Sequence, residues 1–414
     1  MSLNNGKRVV VTGIGVVSPI GIGKKEFWKN ALSGKSGVKK ITAFDVSNYN
    51  CQIAAIVDNF DASQYMDRIT MRRSDRFAHF AIAAADMAMK DSGIKKVTPK
   101  YTGVYIGTGL GGMMFAETQI VRVMERGDRA GHPASIPKIM PNSVTNQIAI
   151  KYNAQGPNIT VCTACSSSTH SIGQAFDSIR QGRAEVIIAG GAESPLMRFN
   201  FLGFDKLMVM SKRNDKPEKA SRPFDKERDG FVMGEGGAVL ILESLEHAKK
   251  RKAKIYAEIR GYSVTSGAYH VVMPRPDASD IARAMDICLK ESKIKPSEVD
   301  YINAHGTATV ANDKAETKAM KKVFKKNAYK IPISSIKSMI GHTLGAAGAI
   351  EAVVSVLSIE TGSMHPTINQ ESPDPECDLD YVPNKSRKKK IKHVLSNSFG
   401  FGNNNACLMF SKYE

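Results

Sequence analysis

Acidic residues are the scarce class in this 414-residue chain: 40 Asp and Glu stand against 58 Lys and Arg, a formal net charge of +18. Such a balance speeds encounter with an acidic partner. Aromatic residues are also few, and no aromatic platform interleaves with the lysine-rich stretches. The lysines are spread through amphipathic helices and chain ends, so a nucleic-acid partner is not expected. The six cysteines, Cys51, Cys162, Cys165, Cys288, Cys377 and Cys407, are too scattered for a disulfide framework, and a reducing compartment fits them better. No Cys/His spacing matches a zinc site, so no metal is expected. No uninterrupted apolar run is long enough to cross a bilayer, which argues against membrane insertion. The first residues, "MSLNNGKRVVVTGIGVVSP", carry no signal-peptide pattern. A cytoplasmic location is expected, and a plastid-type compartment reached with a removed transit peptide is also compatible.

What is present is alternation. Short β-branched runs such as "RVVVTGIGVV", "TGVYIGTG", "NITVCTA", "EVIIAGGAE" and "HVLSNSFGF" alternate with helical patterns such as "DRFAHFAIAAADMAMKDSG" and "GAAGAIEAVVSVLS". This predicts an α/β protein whose sheets are covered on both faces. The pattern is written twice, "VVVTGIGVVS" opening one series and "YAEIRGYSVTS" the next, which divides the chain at 1–253 and 254–414. The longest irregular stretch is residues 194–232, and a loop of that length is more often functional than idle.

"NITVCTACSSSTHSIGQAF" runs from strand-like alternation at Ile159 and Val161 into helical spacing from Ile172. Cys165 therefore falls at a helix start, where unpaired N–H groups and the helix dipole favour an anion and lower a thiol's pKa. The small residues of "TACSSS" leave room for a sharp turn, as at a nucleophile elbow. Cys162 reads as a small buried filler.

Two of the nine histidines sit where strands end beside glycine: His305 in "INAHGTAT" and His342 in "SSIKSMIGHTLGAAG". Lys337 adds a cation in the same loop as His342, and Glu351 follows on the next helix to balance it. A Cys with two His and a Lys could serve a hydrolase, although one base and an oxyanion hole would suffice there. A second histidine makes sense where a second oxyanion, such as an enolate, must be stabilised. Spacing alone does not choose between them.

Taken in order, "VVVTGIGVVSPIG", "GTGLGGM", "TACSSS", "AGGAES", "SRPFDKERDGFVMGEG", "NAHGTAT", "DKAET", "SSIKSMIGHTLGAAGAIEAV" and "SNSFGFG" resemble the β-ketoacyl-[acyl-carrier-protein] synthases, in particular the elongating type II class. The resemblance implies the thiolase fold, two similar halves in a layered α-β-α-β-α sandwich, normally as a homodimer. It assigns the nucleophile to Cys165 and catalytic roles to His305, His342 and Lys337, with Glu351 and Asp313 as a supporting network. Initiating synthases pair the cysteine with His and Asn, and thiolases with His and a second Cys, so two histidines indicate the elongating class.

The implied reaction is decarboxylative condensation of malonyl-carrier protein with a cysteine-bound acyl chain, giving 3-oxoacyl-carrier protein, free carrier and CO2. The oxyanion would be held by the backbone N–H groups of Cys165 and Phe401. Phe401 also matches a gate, and Leu110 a lining residue, of the acyl pocket. Thr307 and Thr309 match residues that bind the pantetheine arm. No cofactor is implied, since phosphopantetheine is delivered on the carrier protein. Arg68, Arg72, Arg73 and Arg129 resemble a docking patch for that acidic partner.

Three departures stand out. Asn403 and Asn404 replace the glycine-threonine usual after "GFG". Gly267 and Val272 stand where relatives often have Asp and Thr, and Met208 where a basic docking residue occurs. These keep open a specialised ketosynthase of a polyketide or dedicated lipid pathway.

Overall fold

The computed structural model describes residues 6–414. Ten strands run in one hydrogen-bonded path: β1 Val9–Ser18, β2 Thr102–Gly107, β3 Asn158–Val161, β4 Val186–Glu193, β5 Gly236–Ser244, β6 Ala257–Ser266, β7 Tyr301–Asn303, β8 Ile333–Ser334, β9 His393–Gly400 and β10 Asn404–Ser411. Their spatial order is β8-β7-β9-β10-β6-β1-β5-β4-β2-β3. Counted from its own first strand, each half therefore reads 3-2-4-5-1. In both halves the first two pairings are parallel and the next two antiparallel. The halves join through a short antiparallel register, Val9–Val11 against Ala257–Ile259.

The duplication extends to single residues. The register of β1 on β5 shifts between Val11 and Gly13, and that of β6 on β10 between Ile259 and Gly261. Each shifted glycine lies under the last turn of an outer helix, α1 Arg76–Ser92 in the first half and α4 Ser279–Ser292 in the second. A Cβ on Gly13 would sit 2.2 Å from Ala88 O, and one on Gly261 2.9 Å from Cys288 O. Only glycine lets helix and strand approach that closely.

The remaining principal helices are α2 Ser143–Tyr152, α3 Ser167–Arg180, α5 Val310–Phe324 and α6 Ala347–Thr361. α1 and α2 share a core with the first sheet half, and α4 and α5 with the second. α3 and α6 lie between the halves: Ile172, Ala175, Phe176, Ile350 and Val353 belong to one central cluster with residues of both halves. The result is the thiolase-type α-β-α-β-α layering.

Several expectations need correction. The Leu344–Thr361 stretch is apolar and long enough to cross a membrane, yet 89% of it is buried inside the protein. An all-round apolar helix is what a middle layer between the two sheet halves requires. Ile159 is 40% exposed because β3 is an edge strand, and Cys162, at its end, is exposed as well. The irregular 194–232 stretch contains a helix, Arg198–Lys206. β10, whose run "NNACLMFS" follows a tight turn, is absent from the strands expected above.

Candidate active site

The elbow forms between β3 and α3. Ala164 takes a positive φ of 52°, rare for a residue with a Cβ, which turns the chain sharply enough to set Cys165 just before the helix. Ser166 and Ser167 hold the turn by donating their hydroxyls to Thr163 O (2.8 Å) and Ala164 O (2.6 Å). The thiol is buried, and the backbone N–H groups of Phe401 and of Cys165 itself lie near enough to its sulfur to favour the thiolate.

Burial pushes the Cys165 thiol up to about 11; the two amides and the positive charge of Lys337 pull it down, and Glu193 adds to the rise. The lowered pKa expected from the helix N-terminus is therefore not met. Loss of water around the sulfur outweighs the two nearby N–H groups and the Lys337 charge.

His305 and His342 come from the other half and face each other, ring centroids 5.4 Å apart and nearly perpendicular. Together with Cys165, Phe401, Thr307 and Thr309 they line one cavity, whose walls include Phe231, Phe399, Val272 and Met273. Burial holds both imidazoles well below the usual histidine range, with Lys337 adding to the effect, so both are neutral. Lys337 is fully buried in an ion pair with Glu351 and donates to His305 O at 2.7 Å. Its Nζ also lies 3.4 Å from His305 Nδ1. An ammonium can only donate, so Nδ1 is the acceptor and the ring proton sits on Nε2. Lys337 thus sets the tautomer of His305.

The backbone around His342 is fixed by the long irregular stretch: its N–H donates to Val232 O at 2.7 Å, and Gly234 N–H donates to its carbonyl at 2.9 Å. Phe231 packs edge-on against its ring at 5.4 Å. Asp313 does not reach the cavity; it accepts from Phe224 N–H (2.8 Å) and Thr307 N–H (3.1 Å), fixing the threonine loop from behind. Burial raises its pKa. Thr307 and Thr309 hydroxyls are 2.9 Å apart.

Leu110 is half-buried on the turn beside the elbow and is not part of this cavity's lining. Arg68, Arg72 and Arg73 share a short exposed helix, Arg68–Arg73, and Arg129 is exposed after the Met113–Arg126 helix. Among the described residues none of the four makes an ion pair.

Two carboxylates escaped the sequence reading. Glu193 accepts from Thr108 Oγ1 (3.0 Å) and from the amides of Gly109 (2.6 Å), Leu110 (3.1 Å) and Gly345 (3.0 Å). It ties the turn beside the elbow to the loop after His342. Glu316 accepts from the amides of His305 (2.9 Å) and Gly306 (2.8 Å) and from Asn397 Nδ2 (3.2 Å). Burial pushes each up to about 7. The available signal was an acid closing an otherwise apolar strand in "VIIAGGAE" and one inside "DKAET".

The family signature described as "Beta-ketoacyl synthase, N-terminal domain" matches residues 6–248, and its "C-terminal domain" counterpart matches 256–371. The chain is 46% identical over 410 residues to "3-oxoacyl-[acyl-carrier-protein] synthase 2" of Synechocystis sp., covering 99% of both chains. It is 48% identical over 408 residues to the protein of the same name from Coxiella burnetii, covering 98% of this chain and 99% of that one. Among solved structures, a type II polyketide ketosynthase in complex with its acyl-carrier protein matches with a TM-score of 0.93 at 37% identity, over 99% of this chain and 100% of that one. A β-ketoacyl synthase from Burkholderia phymatum matches at 0.92 and 33% identity, with the same coverage.

Proposed function

This chain belongs to the β-ketoacyl synthase family, and from that footing we propose how its residues divide the work. The enzyme is a carbon–carbon bond-forming acyltransferase of fatty-acid elongation, with an acyl-carrier protein as its partner. Its full-length relatives are named for that reaction, and the polyketide alternative is not favoured.

In the first half-reaction the Cys165 sulfur attacks the acyl thioester. The developing oxyanion falls to the amides of Cys165 and Phe401, and the pantetheine thiol leaves with the proton. In the second, malonyl-carrier protein loses CO2 and the enolate oxygen accepts hydrogen bonds from the two neutral imidazoles, His305 through Nε2–H. The enolate carbon attacks the acyl-enzyme, and Cys165 departs to leave a 3-oxoacyl thioester. Each preorganised donor of this kind is worth about 10²–10³ in rate. Lys337 and Glu351 hold the His305 tautomer, and Thr307 and Thr309 receive the pantetheine arm. No resident metal or organic cofactor has a role in this scheme.

One observation carries the reading: a buried thiol shares its cavity with Phe401 and with two imidazoles from the opposite half. The test is acylation by acyl-carrier protein followed by intact mass, together with CO2 release from malonyl-carrier protein. Cys165→Ala should form no adduct. His305→Ala and His342→Ala should each lower CO2 release about 100-fold or more while acylation persists. An adduct on Cys165→Ala would overturn the assignment.

A further inference from the structure

The residues that turn β9 into β10, 400–405, carry the Phe401 amide and are anchored on both sides. On the elbow side there is no slack: a Cβ at Gly400 would sit 2.9 Å from Thr163 O and 3.2 Å from Cys165 N. On the far side the turn is tied to residues 267–273, a stretch with neither helix nor strand. Gly402 N–H donates to Val271 O at 2.6 Å, and Gly267 N–H donates to Asn403 O at 2.9 Å. Asn403 Nδ2 donates to Met273 O at 3.0 Å. Gly402 and Asn403 are both left-handed, at φ 78° and 55°, a conformation asparagine accepts more readily than other residues with a Cβ.

Asp280, in the first turn of α4, completes the anchor. It is 5% exposed, and its Oδ2 accepts from Asn405 Nδ2 at 3.1 Å. Its carboxylate fills the room beside Gly267, where an added Cβ would lie 2.2 Å from Asp280 Oδ2 and 2.7 Å from Asn403 Cβ. The absent side chain at 267 and the carboxylate at 280 are therefore one arrangement. Both Asp280 and Asn403 line the cavity of the site.

We propose that Asp280 and Asn403 are positioning residues for acylation, fixing residues 400–405 so that the Phe401 N–H stays beside the Cys165 elbow. This rests on Cys165 being the acylated nucleophile. An oxyanion donor works only within a few tenths of an ångström of its place, so loosening the turn slows attack without weakening donor binding.

The experiment is single-turnover acylation by acyl-carrier protein, read by intact mass, on the wild type, Asp280→Gly, Asn403→Ala and the conservative Asp280→Asn. Asp280→Gly and Asn403→Ala should each acylate about 10- to 100-fold more slowly at saturating donor, with half-saturation little changed. Asp280→Asn, whose amide oxygen can still accept from Asn405 Nδ2, should keep most of the rate lost by Asp280→Gly. Asp280→Gly and Asn403→Ala within twofold of wild type, losses that track melting temperature, or Asp280→Asn no faster than Asp280→Gly each overturn the proposal. If Asp280→Gly does not fold, Asn403→Ala decides alone. Wild type that fails to acylate at all would instead remove the functional reading and this inference with it.

Discussion

The nucleophile is the residue where electrostatic effects compete most openly. The helix start, two amides and Lys337 favour a thiolate, and burial opposes them more strongly, leaving a thiol near pKa 11. At neutral pH the thiolate is then only about one part in 10⁴. Alkylation of Cys165 by iodoacetamide should accordingly rise about tenfold per pH unit from pH ~7 to ~10, levelling near 11. A plateau below pH ~8, followed by mass spectrometry of the peptide, would show that the dipole prevails after all. The histidines shift the opposite way in charge for the same reason. Burial removes the imidazolium, and the neutral rings keep their donor N–H groups at and below neutral pH.

Between elements, the decisive contact is that of α3 with α6. Gly348 abuts Thr169 so closely that an added Cβ would fall on the Thr169 hydroxyl, and Ala349 N–H donates to Ser168 Oγ at 2.9 Å. Thr169 in turn shares a 2.6 Å hydrogen bond with Ser398, which donates to Glu351 at 3.4 Å. The same seam therefore carries Cys165 at one helix and the partner of Lys337 at the other. Gly348→Ala should destabilise the protein by about 1–3 kcal/mol through overpacking. Denaturant unfolding measures this, and an unchanged midpoint would mean that the helices can separate without cost.

At the scale of the molecule, two surfaces bear on partners. The edge strand β3 is open and Ile159 is exposed, while Ile120, Met124 and Ile136 are 59%, 81% and 66% exposed. Open edges and apolar surface of this kind call for cover. A homodimer would supply it, and sedimentation equilibrium should find twice the chain mass, with Met124→Lys/Ile136→Lys shifting the population toward monomer. A wild-type monomer at micromolar concentration would exclude this. For docking, reversing Arg68, Arg72 and Arg73 to Glu should raise KM for acyl-carrier protein about tenfold or more, and added salt should mimic the change. Reaction with a small acyl thioester should be unaffected. Equal losses with both donors would place these arginines outside docking.

The alternation of β-branched runs with helical patterns determined the α/β class, and the twofold repetition of that alternation is legible because each half needs the same buried strands. Cys165, His305, His342 and Lys337 were legible too, since each stands where a strand or loop meets small residues. Tertiary structure alone decided that Ile159 and Cys162 face outward, because edge position is a property of strand order and not of local pattern. It also decided the roles of Glu193, Glu316 and Asp280, whose partners are backbone amides or a side chain far away in sequence. The thiol's pKa belongs to the same class: a helix start can be read from residues, but the exclusion of water depends on what the rest of the chain folds over it.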